Sequence, residues 1–161
     1  MSVPRERDER YMRLAIAAAR RGIRNGQTPF GACIVKKGKV VACAHNTVWR
    51  LSDSTAHAEV TAIRRACRVL GTIDLSGCTM YTTCEPCPMC FSACHWARIS
   101  RIVYGAGISD AAKAGFRELS ISPQRMKRLG GASVRLASGI LRDENRGLFA
   151  EWKRTRRART Y

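Results

Sequence analysis

Four cysteines crowd the stretch TCEPCPMCFSACH, at Cys84, Cys87, Cys90 and Cys94. Their spacing, C-x2-C-x2-C-x3-C, counts like an iron–sulfur run, yet no proline follows the last cysteine as it does in bacterial ferredoxins. The segment His57-Ala58-Glu59 suggests different chemistry. One imidazole from His57 and two thiolates from Cys87 and Cys90 make three zinc ligands and leave a fourth position open for water, as catalytic zinc requires. Cys87 and Cys90 are three apart, so one helical turn brings both sulfurs to one side. Glu59, two beyond His57, places a carboxylate beside the metal without ligating it, where it can take a proton from an activated water and return it to a leaving group. An iron–sulfur cluster would leave His57 and Glu59 without a role. A structural zinc would need a fourth protein ligand, and the candidates His45 and His95 lack motif spacing. Cys94, one turn after Cys90, reads as a small core residue, and Cys84 as a packing neighbour at a strand end. Cys33, Cys43, Cys67 and Cys78 read as core thiols.

Both ligand sets must sit at helix starts, where free N–H groups and the helix dipole favour thiolate. The sequence predicts a helix from about Glu6 to Arg24, stopped by Asn25-Gly26. A hairpin over FGACIVKKGKVVACAHN follows, turning at Lys37-Gly38. TAHAEVTAIRRACRVLG is a second helix, ending at Gly71, with Val60, Ile63, Ala66, Cys67 and Leu70 as its expected buried face. CTMYTT is a strand and PCPMCFSACHWAR a third helix, its proline tolerated in the first turn. RIVYGAG is a strand, 122–129 a short helix, SVRLAS a last strand, and Arg142 to about Arg157 a final helix. Alternation of strands and helices after a hairpin predicts an α/β fold: a three-layer α/β/α sandwich around a five-stranded mixed sheet, as one domain over 1–161.

The 161 residues are 45% hydrophobic and 25% charged, the composition of a globular protein with its own core. No apolar run approaches the roughly 20 residues of a membrane span. Charges interrupt the N-terminal stretch, so no secretory signal is expected and a cytoplasmic, reducing setting is. Lys and Arg number 29 against 12 acids, a formal +17. Such a surface attracts polyanions, and WKRTRRARTY concentrates it at the end; nucleic acid is a conceivable partner, and a solvated surface the plainer alternative.

The recurrence of H57-A-E59 with P86-C87-P-M-C90 is the signature of zinc nucleobase deaminases. From about Tyr11 to Tyr161 the chain resembles the cytidine-deaminase-like superfamily, and within it the bacterial guanine deaminases. The resemblance rests on TPFGA (28–32), AHN (44–46), TAHAEVTAIRRAC (55–67), YTTCEPCPMC (81–90), HWAR (95–98), DAAKAGF (110–116) and the terminal Trp152 to Tyr161. It implies one zinc per chain on His57, Cys87 and Cys90, with Glu59 shuttling protons. It further implies that Asn46 and the backbone N–H of Ala58 hydrogen-bond the purine and that Phe30 packs on the base. Trp96 would line the pocket, and Asp110 would hold the exocyclic amine and help move protons. Tyr161 would reach the active site of a partner subunit, in a homodimer that exchanges segment 142–161. The implied reaction is guanine to xanthine plus ammonia. The alternatives are a tRNA wobble adenosine, favoured by the basic surface and the C-terminal helix, or guanosine, cytosine or another amino-heterocycle.

Overall fold

The computed structural model describes residues 4–161. Helix α1 (Pro4–Arg24) leads into strands β1 (Gly31–Lys36) and β2 (Lys39–His45). Lys37 and Gly38 both take positive φ, 47° and 76°, the backbone of a tight hairpin turn whose twist matches the strands. Then come α2 (Val48–Leu51), α3 (Ala58–Leu70), β3 (Cys78–Cys84), α4 (Pro88–Trp96), β4 (Arg101–Ala106), α5 (Ile108–Ala114), α6 (Pro123–Gly130), β5 (Arg135–Ala137) and α7 (Arg142–Lys153). The sheet runs in the order β2-β1-β3-β4-β5. β1 pairs antiparallel with both β2 and β3, whereas β3–β4 and β4–β5 are parallel. The expected five-stranded mixed sheet between helices is therefore present.

Helices α1 and α7 pack together on one face of the sheet, and α3 and α4 on the other. Met12 and Ile16 of α1, Ile34, Met80, Ile102 and Val103 of the strands, and Leu148 of α7 are fully buried between them. α1 lies so close to β1 that a Cβ at Gly31 would overlap the backbone oxygen of Ala15. A buried acid also ties α1 to the sheet: Asp8 receives two hydrogen bonds from Arg101, at 2.7 and 2.6 Å, and one from Tyr81 Oη at 2.9 Å.

Three details depart from the sequence reading. α3 sends its alanines deepest: Ala58, Ala62 and the expected Ala66 are fully buried, while Ile63, Cys67 and Leu70 pack against the core only partly buried and Val60 stays partly exposed. Short side chains let the helix axis approach the sheet and carry His57 and Glu59 inward. α2 and α5 were not anticipated, since four and seven residues are too few to display a helical period. α7 ends at Lys153, and residues 154–161 run on without regular structure. No described helix is long and apolar enough to cross a membrane.

Candidate metal centre and active site

Because β3 and β4 are parallel, their C-terminal ends, Cys84 and Ala106, lie side by side. The helices that follow start there, which is where open α/β sheets gather ligand sites. Cys87 is the N-cap of α4, with Pro88 pre-set for the first turn, and Cys90 follows in the same turn. Across from it, His57 is the N-cap of α3. His57 Nδ1 lies 3.8 Å from Cys87 Sγ and 3.5 Å from Cys90 Sγ. Among the described residues, these three side chains form the one such group of histidine, cysteine and acid ligand atoms, all within 4.8 Å of one another.

That spacing fits zinc. Tetrahedral bonds of about 2.3 Å to sulfur and about 2.05 Å to nitrogen put the donors about 3.6 Å apart. Two thiols and an imidazole are also the donors zinc prefers. Cys87 is pulled down to about 4, first by the hydrogen bond from the Cys90 thiol and then by His57, against the opposing effect of burial. Cys84 is not in the group: its thiol is buried and points to the Gly107 carbonyl at 3.6 Å. Cys94 is buried one turn further along α4.

Glu59 stands in the first turn of α3, 5% exposed. Its Oε1 accepts from Thr82 Oγ1 at 2.9 Å, and its Oε2 lies 3.5 Å from Cys90 Sγ. Burial pushes its carboxyl up, partly countered by His57, so it suits a group that must both take and give a proton. Ala58 is the first residue of α3, so its N–H has no helical acceptor. Asn46 is completely buried. Its Oδ1 accepts from Val48 N at 3.1 Å, which fixes the amide and leaves Nδ2 to donate to Tyr161 Oη at 2.7 Å.

Other expected site residues are placed differently. Asp110 does not line the pocket. It accepts from Gly107 N at 3.0 Å and pairs with Arg142 at 3.5 Å and Arg146 at 3.3 Å. Burial raises its carboxyl, but the Gly107 N–H and the two guanidiniums outweigh this and hold it below the usual carboxylate range. Through these two ion pairs it clamps α5 to α7. Phe30 packs edge-on against Phe116 (4.8 Å between centroids) and Phe149 (5.9 Å), one layer behind the pocket. Trp96 ends α4, at the far end from Cys87, and is 82% exposed. Tyr161 is seated in its own chain's site, its ring 5.6 Å from that of His57 and 6.0 Å from that of Phe116.

The pocket over His57 and Cys87 holds about 230 Å³ and is lined by Phe116, Glu118 and Tyr161 among others. Phe116 and Glu118 were missed from the sequence. Burial, followed by the neighbouring Cys87, pushes Glu118 up to about 7. The available signal was Gly115, whose φ of 104° ends α5 and turns the following residues back over the ligands.

The comparisons agree with this geometry. Residues 5–106 match the family model described as the cytidine and deoxycytidylate deaminase zinc-binding region. Guanine deaminase of Bacillus subtilis is 50% identical over 67% of this chain and 70% of its own length. The tRNA-specific adenosine deaminase of the same organism is 35% identical over 91% of this chain and 89% of its own. The solved structure of guanine deaminase from Nitrosomonas europaea superposes with a TM-score of 0.85 at 29% identity, covering 96% of this chain and 87% of that one. The chain belongs to the cytidine and deoxycytidylate deaminase family of zinc-dependent hydrolytic enzymes.

Proposed function

We propose that this protein deaminates a free purine base, guanine, giving xanthine and ammonia. The observation that carries the choice is the pocket itself. At about 230 Å³ it lies below the range of drug-sized sites, and it is walled by the aromatic rings of Phe116 and Tyr161 with Glu118 among its lining residues. A single heterocycle matches such a space. Tyr161 closes this space, its Oη accepting from Asn46 Nδ2.

Zinc on His57, Cys87 and Cys90 supplies the Lewis acidity that makes water nucleophilic near neutral pH. Glu59 takes the proton of the attacking water and delivers it to the ring nitrogen beside the amine-bearing carbon. Glu118, on the same pocket, gives a proton to the departing amine and regains one from the hydroxyl oxygen as the carbonyl forms. The Ala58 N–H, and Asn46 Nδ2 once Tyr161 Oη gives way, donate to the base and set its orientation. Phe116 and Tyr161 exclude bulk water, which strengthens each of these interactions.

A second reading, deamination of a tRNA adenosine, is favoured by the +17 charge and by the length of the match to the tRNA-specific relative. Product analysis separates the two: the zinc-loaded protein is given guanine and, separately, an adenosine-bearing anticodon stem-loop. Xanthine from the first and no inosine in the second is expected. Inosine without xanthine would overturn the proposal. We further propose that the enzyme is a homodimer. Exposed Trp96, with Phe91, Met126 and Ala132, borders an apolar hollow of about 200 Å³ suited to a second copy. A monomer mass in solution would contradict that.

A further inference from the structure

β2 is an edge strand, and Cys43 on it is the register partner of Cys33 on β1. The two sulfurs lie 2.8 Å apart on the same face of the sheet. That is far closer than the contact of unrelated thiols and needs only a small movement to reach a bonded length of about 2.05 Å. The pair stands apart from the zinc ligands and has no part in the deamination chemistry. Its two members are unequal. Cys33 is completely buried, whereas Cys43 is partly exposed. Arg65 Nη1 donates to the Cys43 carbonyl at 2.8 Å, so a guanidinium sits beside the outer cysteine.

We propose that Cys33 and Cys43 are a redox-active cross-strand dithiol, closed to a disulfide by a peroxide. The outer sulfur reacts first. The contact with Cys33, together with Arg21 and Arg65, lowers the Cys43 thiol, while the same contact and burial hold Cys33 protonated. The Cys43 thiolate attacks one peroxide oxygen and the O–O bond breaks. This leaves a sulfenic acid on Cys43 and a hydroxide that takes up a proton to become water. The Cys33 sulfur then attacks the sulfenic sulfur, losing its proton as the second water leaves. In sum, two thiols and one peroxide give one disulfide and two waters. The new bond ties β1 to β2 just before His45 and Asn46, so the oxidised hairpin holds the base-reading amide on a covalently closed support.

Trypsin makes the test direct. Lys36, Lys37 and Lys39 lie between the two cysteines, so peptides 25–36 and 40–50 separate unless the disulfide joins them. Zinc-loaded full-length protein is treated with a small excess of hydrogen peroxide, alkylated, digested and weighed. The expected product is the joined pair, two hydrogens lighter than the sum of its parts and released by dithiothreitol. Cys33→Ser should abolish the join and leave Cys43 as the oxidised residue, while Cys94→Ser should retain it. Recovery of both peptides as free, alkylated thiols, or of Cys43 over-oxidised beside an intact Cys33 thiol, would overturn the proposal. The wild-type digest alone decides the point if Cys33→Ser does not fold.

Discussion

Glu59 and Glu118 are two carboxyl groups beside the metal ligands in different positions, and the proposed mechanism gives them different tasks. Glu59 is buried against Cys90 and Thr82, and Glu118 lines the pocket above Cys87. Glu59→Gln keeps the shape and removes the base, so turnover should fall by about 10²–10⁴-fold while zinc content stays unchanged. Loss of zinc in that variant would mean that Glu59 is a ligand. Glu118→Gln should lower kcat by about 10²-fold with little change in KM, because its proton is needed at the leaving amine rather than for binding. The ligands and Glu59 were legible because their spacing, H-x-E and P-C-x-x-C, is local and each half lies in one helical turn. Glu118, Phe116 and the true surroundings of Asp110 were not. Their placement depends on how α5 stops at Gly115 and on two arginines of α7 that are far away in sequence.

At the scale of elements, the site depends on small residues that let layers approach. Gly31 admits the Ala15 carbonyl, and Gly105 admits the side chain of Asn145, where an added Cβ would also collide. Gly31→Ala should cost about 1–3 kcal/mol by forcing α1 away from β1, read as a lowered denaturant midpoint. An unchanged midpoint would show that the contact yields freely. The long helices, the hairpin turn and the strand order of types were readable from period and turn residues. The buried face of α3 was readable in part: Ala66 is buried and Ile63, Cys67 and Leu70 pack on the core, but close packing put Ala58 and Ala62 deepest where hydrophobicity favoured Val60. Periodicity reports which side of a helix is apolar, but not which residues touch the sheet.

For the whole molecule, charge acts in two ways. Most of the +17 is surface arginine, but Arg101 is committed to Asp8 inside the structure. Burial raises the Asp8 carboxyl, yet the hydrogen bonds from Arg101 and Tyr81 outweigh it and hold it below its ordinary 3.8. A carboxyl depressed on folding stabilises the protein above its unfolded value and loses that stabilisation as pH falls through the folded one. Stability should therefore drop below about pH 4 in the wild type. Asp8→Asn should lose about 3 kcal/mol at neutral pH, leaving Arg101 without its anion, and should show a flatter acid limb. Parallel acid melts of the two proteins check this, and equal slopes would contradict it. The seating of Tyr161 also belongs at this scale. The resemblance implies that Tyr161 reaches a partner's site; within the single chain the terminus lies over His57, with Tyr161 Oη accepting from Asn46 Nδ2.

The most direct measurement is ammonia released from guanine as a function of zinc per chain, on protein stripped by a chelator and reloaded stepwise. Turnover should rise in proportion to zinc and level off at one per chain, and Glu59→Gln should bind the same zinc and stay silent. Ammonia release that ignores zinc content, or none from guanine at full occupancy, would contradict the account.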